Sequence, residues 1–366
     1  MIVGAGVAGV EAMLALRELG GERSEVEVLS PSDRFEYRPL AVTEPFGGAE
    51  VPSYDLEELC RAAGASFRRQ SAVRVDAEAH RVALHDGAAA VHYDRLLVAI
   101  GARPLQAVPG VTTFWPVSDE GAVSTLIERA KRGEIERIAF VMSSGCGWPL
   151  AAYELALLTA AEVEASSAEV SVLVVTSEDA PLAIFGVRAS NEVGQLLADR
   201  GVEVRAGVHP VSFDGSELEV IPGEPVRVDA AVGIPRLEGR RLEGVPHDED
   251  GFVPIDDQCR VPGLEDVFAA GDVAAFPVKQ GGVAAQQADV VAEAIAAEAW
   301  GLEEPSRFEP ELIGTLLTGE APQRLSGSLT GGHGETSEMV EQPGLRPEAK
   351  VSSRRLQSFL ESLRRD

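Results

Sequence analysis

Short β-branched and apolar runs alternate with longer Ala- and Leu-rich runs through the first 300 residues, as in Ile2–Val3, then Val10 to Leu19, then Glu25 to Leu29. Short apolar runs read as buried strands and long ones as helices. Their alternation predicts an α/β chain built on parallel sheets. A second such unit opens with a strand from Ile138 to Met142, turns through Ser143 to Pro149, continues as a helix from Leu150 to Ala161 and reaches a strand from Val170 to Thr176. After Val261 come a strand from Asp266 to Ala270, a Gly-Asp turn and an Ala-rich helix from near Gly282. That return predicts a discontinuous first domain of residues 1–110 and 245–304 around a second domain of residues 111–244. In residues 305–366 the periodicity weakens, Gly and Pro cluster between Gly319 and Pro347, and an amphipathic segment runs from Ser352 to Arg365. This last region is expected to face a partner or a membrane. The opening strand is unusually short.

Composition narrows the function. A formal charge of −27 over 366 residues repels nucleic-acid phosphates and anionic membrane surfaces, so no nucleic-acid partner is expected. Three cysteines, Cys60, Cys146 and Cys259, are widely spaced and form no C-x-x-C pair, which argues against a zinc ribbon or a disulfide framework. A reducing, cytoplasmic location is expected. Neither a basic leader nor a run of about 18 apolar residues occurs, so the pattern predicts no export signal and no membrane span.

The chemistry begins at Gly4-Ala5-Gly6-Val7-Ala8-Gly9, between a strand and a helix. In that context the first glycine permits a tight turn, the second lets backbone approach a pyrophosphate, and the third lets helix and strand pack closely. The helix N-terminus offers amides and partial positive charge to the phosphates. Two Rossmann-like dinucleotide-binding domains plus a C-terminal region is therefore the expected architecture. The second strand ends at Ser30, with Asp33 nearby, where a ribose-binding carboxylate is usual. A serine hydroxyl makes the weaker, uncharged bond.

Three segments in this order resemble the FAD-dependent pyridine nucleotide-disulfide oxidoreductases, in the branch of sulfide:quinone oxidoreductases and type II NADH dehydrogenases. They are the glycine turn, Tyr93-Asp94-Arg95-Leu96-Leu97-Val98-Ala99-Ile100-Gly101-Ala102-Arg103-Pro104, and Val267-Phe268-Ala269-Ala270-Gly271-Asp272. The resemblance covers roughly residues 1 to 300. It implies a redox enzyme that holds FAD with Gly4, Gly6, Val7, Ala8, Gly9 and Ser30, with Ala99 and Gly101 at the second segment, and with Gly271 and Asp272, whose carboxylate would bind the ribityl chain. Downstream, Lys279, Gln280, Gly282 and Val283 open a helix that in such folds faces the flavin ring, where helix dipole and Lys279 charge would favour the anionic reduced form. Arg38, with Tyr37 and Glu44, falls in the segment that passes the flavin, which here lacks the Cys-x4-Cys pair of disulfide reductases.

Other readings follow from departures. Aligning Glu154-Leu155-Ala156 with a nicotinamide-binding helix puts Gly147, Pro149 and Ala152 at the glycine positions. Proline has no N–H and its ring fills pyrophosphate space, and the next strand ends at Thr176 rather than at Asp or Glu, so NAD(P)H use is doubtful; a register using Gly145 and Gly147 is the counter-reading. Cys146 resembles a sulfur-carrying cysteine, and a helix N-terminus would lower its pKa, but no second cysteine stands in the expected region. The favoured function is electron transfer through FAD from sulfide or another sulfur donor to a quinone. The alternatives are an NAD(P)H:quinone dehydrogenase and a non-enzymatic redox sensor. In the tail, Leu356, Phe359, Leu360 and Leu363 share a helical face beside a net charge of +3 over residues 350–366. That face suits peripheral contact with the inner side of a membrane through 352–365, or docking on the acidic body or on a second copy in a homodimer.

Overall fold

A computed structural model describes residues 1–48, 51–115, 121–303, 305–328, 337–344 and 347–364. Two parallel five-stranded sheets organise the chain as an α/β fold. The first has the order Val267–Ala269, Leu96–Val98, Ile2–Val3, Glu27–Ser30, Ser66–Arg69. Its Ile2–Val3 strand spans two residues yet pairs on both sides, Ile2 with Val28 and Leu97, Val3 with Leu29 and Val98. A central strand needs little length when both neighbours satisfy its backbone. The strand from Val267 pairs with the Leu96–Val98 strand, so the late return expected from the sequence reaches this first sheet.

The second sheet has the order Thr112–Thr113, Ala230–Ile234, Arg137–Met142, Ser171–Thr176, Val202–Arg205. Most strands of both sheets are buried along nearly their whole length, as strands covered on two faces are, whereas the edge strand Ser66–Arg69 is largely exposed.

Helix ends differ from the sequence reading by a few residues. The opening helix spans Val7–Gly20 rather than beginning at Val10, because it starts directly on the glycine turn. The second-unit helix runs Leu150–Ser166, past Ala161. The third helix, Gly281–Trp300, lies along the opening helix, and Gly20 leaves room for the Trp300 ring.

The C-terminal region holds an antiparallel sheet that hydrophobic periodicity did not reveal, with strands Glu311–Leu316, Gln323–Ser328 and Glu338–Glu341. Only Leu312, Leu316 and Leu325 give it a fully buried apolar face, too sparse a pattern to read. The terminal helix spans Leu356–Leu363, and Arg365 lies outside the described residues. Leu356 and Leu360 are buried against the first unit, with Phe359 and Leu363 packed beside them. This apolar face, expected to meet a membrane, a second copy or the acidic body, is applied to the body of the chain. Among the described residues no helix is long and apolar enough to cross a membrane.

Candidate functional site

The glycine turn divides its labour by geometry. At Gly4, φ is +109°, and a Cβ would stand 2.2 Å from the Ala99 carbonyl oxygen. At Gly9 a Cβ would stand 2.1 Å from the Gly4 carbonyl oxygen. Both glycines are needed for the protein to pack against itself. A Cβ at Gly6 meets nothing within 4 Å, and Gly6 lines a cavity of about 690 Å³. Gly6 caps the opening helix with no side-chain cap bond, so the first-turn amides are left for an anion.

The cavity runs from this turn past Ser30, Ala99 and Gly101 to Gly271, Asp272 and Lys279. Asp272 follows Gly271, whose φ is +80° and whose N–H donates to Gln287 Oε1 at 2.7 Å. Burial pushes the Asp272 carboxyl up from its ordinary pKa, opposed by the charges of Lys279 and Arg38. No described residue donates a hydrogen bond to that carboxylate, so a ligand rich in hydroxyls fits where the protein supplies no donor. Lys279 Nζ donates to the Ala274 carbonyl at 2.5 Å and sits 3.7 Å over the Phe252 ring. Burial pushes its pKa down to about 8, against the pull of Asp272 and Asp248.

Gln280 also reaches the cavity, but its side chain is structural. Its Oε1 accepts from the Val283 amide at 2.8 Å and its Nε2 donates to the Ile313 carbonyl at 2.8 Å, capping the Gly281–Trp300 helix and tying it to the C-terminal sheet. Val283 is buried, and it and Gly282 stand behind the wall. Ser30 lines the wall with its hydroxyl 3.3 Å from the Ser32 amide, while Asp33 turns outward to Arg69 at 2.7 Å. Arg38 lines the cavity; Tyr37 is buried, its hydroxyl accepting from the Val351 amide, and Glu44 is exposed.

At the far wall, Lys350 Nζ lies 2.5 Å from Glu154 Oε1, and the pair is 6% and 2% exposed. Glu154 also accepts from the Leu317 amide at 3.0 Å. Burial pushes the carboxyl up and the ammonium down, each opposed by the partner's charge. Burial thus biases each group towards its neutral form, and the partner's charge holds it towards its charged one.

The second unit meets the first at its own turn. The Lys279 amide donates to the Gly147 carbonyl at 2.9 Å, and a Cβ on Gly147 would stand 2.6 Å from Lys279 Cγ. Trp148 enters the cavity wall and packs edge-on against Phe185, ring centres 5.7 Å apart. The acid just beyond the Ser171–Thr176 strand, Glu178, is turned inward, accepting from the Tyr153 hydroxyl at 2.7 Å and the Thr176 hydroxyl at 3.2 Å.

A sequence profile of the pyridine nucleotide-disulphide oxidoreductases matches residues 1–296. The chain belongs to that family. An NADH dehydrogenase-like protein of Mycobacterium tuberculosis is 29% identical over 298 residues, 75% of this chain and 72% of that protein. A demethylphylloquinone reductase of Synechocystis is 23% identical over 293 residues, 74% and 70% of the two chains. Among solved structures, the sulfide:quinone oxidoreductase of Aquifex aeolicus superposes with a TM-score of 0.84 at 18% identity, over 93% of this chain and 86% of that one, a likeness of fold.

As a member of this family the protein is an FAD-dependent oxidoreductase, and the cavity between the glycine turn and Asp272 is chemically suited to the flavin nucleotide. Cys146 departs from its sequence expectation. It does not line the cavity, and burial pushes its thiol up to about 12, the reverse of activation by a helix N-terminus. Desolvation there outweighs the amide of Trp148, which acts in the opposite direction. Cys60 and Cys259 are buried and free. Sequence reasoning missed Lys350, Trp148 and the Glu154 carboxylate as walls of the site. One signal was available: only three of the 32 basic residues are lysine, and two of those, Lys279 and Lys350, line the cavity.

Proposed function

We propose that this oxidoreductase passes electrons from a small soluble reductant, with sulfide the first of that class, through FAD to a quinone, and does so without a nicotinamide coenzyme. The observation that carries the reading is the buried Lys350–Glu154 pair in the wall of the flavin cavity. Reducing a quinone to a quinol takes up two protons as well as two electrons. A dry cavity must supply protons from its own groups.

FAD, when bound, stores two electrons and releases them singly or as a hydride. In this reading the Gly6 backbone and the first-turn amides hold the pyrophosphate, and Asp272 accepts from the ribityl hydroxyls. Lys279 places positive charge near the electron-rich edge of the ring. Lys350 holds a proton for the quinone oxygen, and Glu154 keeps that ammonium in place.

Three features argue against nicotinamide: Pro149 at the turn, the Gly147–Lys279 closure, and the inward Glu178. The cysteines are unsuited to a sulfur relay, so the donor would give its two electrons to the flavin directly; for sulfide, two HS− would leave joined as HS–S− with one proton released. Anaerobic stopped-flow spectra of the yellow holoprotein test this. Bleaching by sulfide and not by NADH or NADPH, followed by reoxidation with a short-chain ubiquinone analogue, is the expected result. Bleaching by NADH within seconds would replace the reading with a dehydrogenase, and slow reduction by every donor would favour a redox sensor.

A further inference from the structure

Glu11 is an acidic residue inside an apolar helix, fully buried, and it lies outside the cavity. A buried carboxylate is costly unless its oxygens are satisfied. Its two oxygens accept the backbone amides of Arg355 at 2.9 Å and Leu356 at 2.7 Å, the start of the terminal helix. Arg355 then reaches Asp289 Oδ1 and Glu18 Oε2, each at 2.5 Å. Arg354 adds bonds to Glu293 at 3.2 Å and Asp289 at 3.4 Å. Four residues upstream of Arg355, Val351 donates its amide to Tyr37 and packs on Gly281, where a Cβ would come within 2.9 Å of it. Immediately before it stands Lys350.

We infer that Glu11 is a positioning residue: by fixing residues 355 and 356 to the helix that follows the glycine turn, it holds the strap of residues 350–356, whose first two residues line the cavity, and sets Lys350 against Glu154. The inference rests on the proposed acceptor role of Lys350 for its functional meaning, and on the hydrogen bonds alone for its mechanics. Four residues lie between Lys350 and Arg355, a span too short to absorb a loosened end without moving the lysine. The strap has one anchor on each side of Val351, Glu154 upstream and Glu11 downstream.

The chain's three lysines make this measurable. The FAD-loaded protein is treated with an amine-acetylating reagent, and modification of Lys350 is followed by peptide mass spectrometry, with the half-buried, ion-paired Lys131 as the surface reference. Glu11→Ala removes the anchor from one side and Arg355→Ala weakens it from the other, so one variant remains if the other fails to fold. Each is expected to speed modification of Lys350 roughly tenfold relative to Lys131, through more frequent local opening. Glu11→Gln, which keeps an acceptor oxygen, restores part of the protection. Unchanged Lys350 protection in the folded variants overturns the inference. In the same variants, reoxidation of the dithionite-reduced flavin by a short-chain ubiquinone analogue should slow, with no further slowing on adding Lys350→Met. Faster acetylation with unchanged reoxidation leaves the anchor standing and removes Lys350 from the acceptor site.

Discussion

Lys350 Nζ is 2.5 Å from Glu154 Oε1, so a residue of the C-terminal region and one from the second-unit helix share a buried charge at the wall of a cavity that begins at the glycine turn. Removing one partner leaves the other charge buried and alone, which costs about 3–5 kcal/mol, whereas two apolar residues of similar volume are close to neutral. Lys350→Met and Glu154→Leu are each expected to lower the urea midpoint sharply, and the double variant to regain most of it. If the double variant is as unstable as the sum of the singles, the pair is not coupled as described.

The glycines of the turn should separate by phenotype. Gly4→Ala drives a Cβ into the Ala99 carbonyl at a positive φ and is expected to cost more than about 3 kcal/mol of stability, whether or not FAD is present. Gly6→Ala meets no protein atom within 4 Å. The apoprotein should melt as before, while FAD affinity falls about tenfold or more as the methyl enters pyrophosphate space. Thermal melts of apoprotein and flavin titrations check both halves.

Lys279 carries the clearest pH dependence. Its pKa is pushed down to about 8 by burial, so it is charged below that pH and neutral above it. A lowered folded-state value means stability that is present above the unfolded value and lost as pH falls through about 8. Lys279→Met should therefore stabilise the flavin-free protein at pH 7 by about 1–2 kcal/mol and leave it unchanged near pH 11. In the loaded protein the same substitution should lower the flavin midpoint potential at pH 7, because a cation beside the reduced ring is gone. Unfolding curves at the two pH values and a dye-coupled redox titration decide these points.

Cys146 should be inert. With its thiol pushed up to about 12, almost no thiolate exists at neutral pH, and Cys146→Ser is expected to reduce flavin turnover by less than about twofold. Alkylation by iodoacetamide at pH 7.5 should spare it in the folded protein. Rapid alkylation, or lost turnover in the variant, would return it to the mechanism.

The parts legible in sequence were those where backbone geometry dictates residue type. Gly4 and Gly9 must lack a Cβ because a carbonyl occupies its place, and the strand–glycine–helix pattern reports that directly. Gly271 and Asp272 were expected at the site from the resemblance of the strand–Gly–Asp segment, and both line the cavity, Gly271 with φ +80°. Lys350 was hidden because its partner Glu154 lies 196 positions away, with no local pattern linking them. The C-terminal sheet was missed because its faces alternate imperfectly and carry few apolar residues. For the terminal helix the amphipathic pattern was correct, but a pattern names a face without naming what covers it. For Cys146 the helix start is legible because it is local, whereas the burial that pushes its thiol up is not written in the local sequence.

The contact between the two units at Gly147 and Lys279 is made by main chain on both sides. Only a proline at position 279 would delete the amide hydrogen; every other exchange of side chains leaves donor and acceptor in place. Separating the two units at this point therefore asks for a change in the length or path of the loop rather than in its side chains. Point substitutions at Trp148 or Pro149 would leave that bond in place.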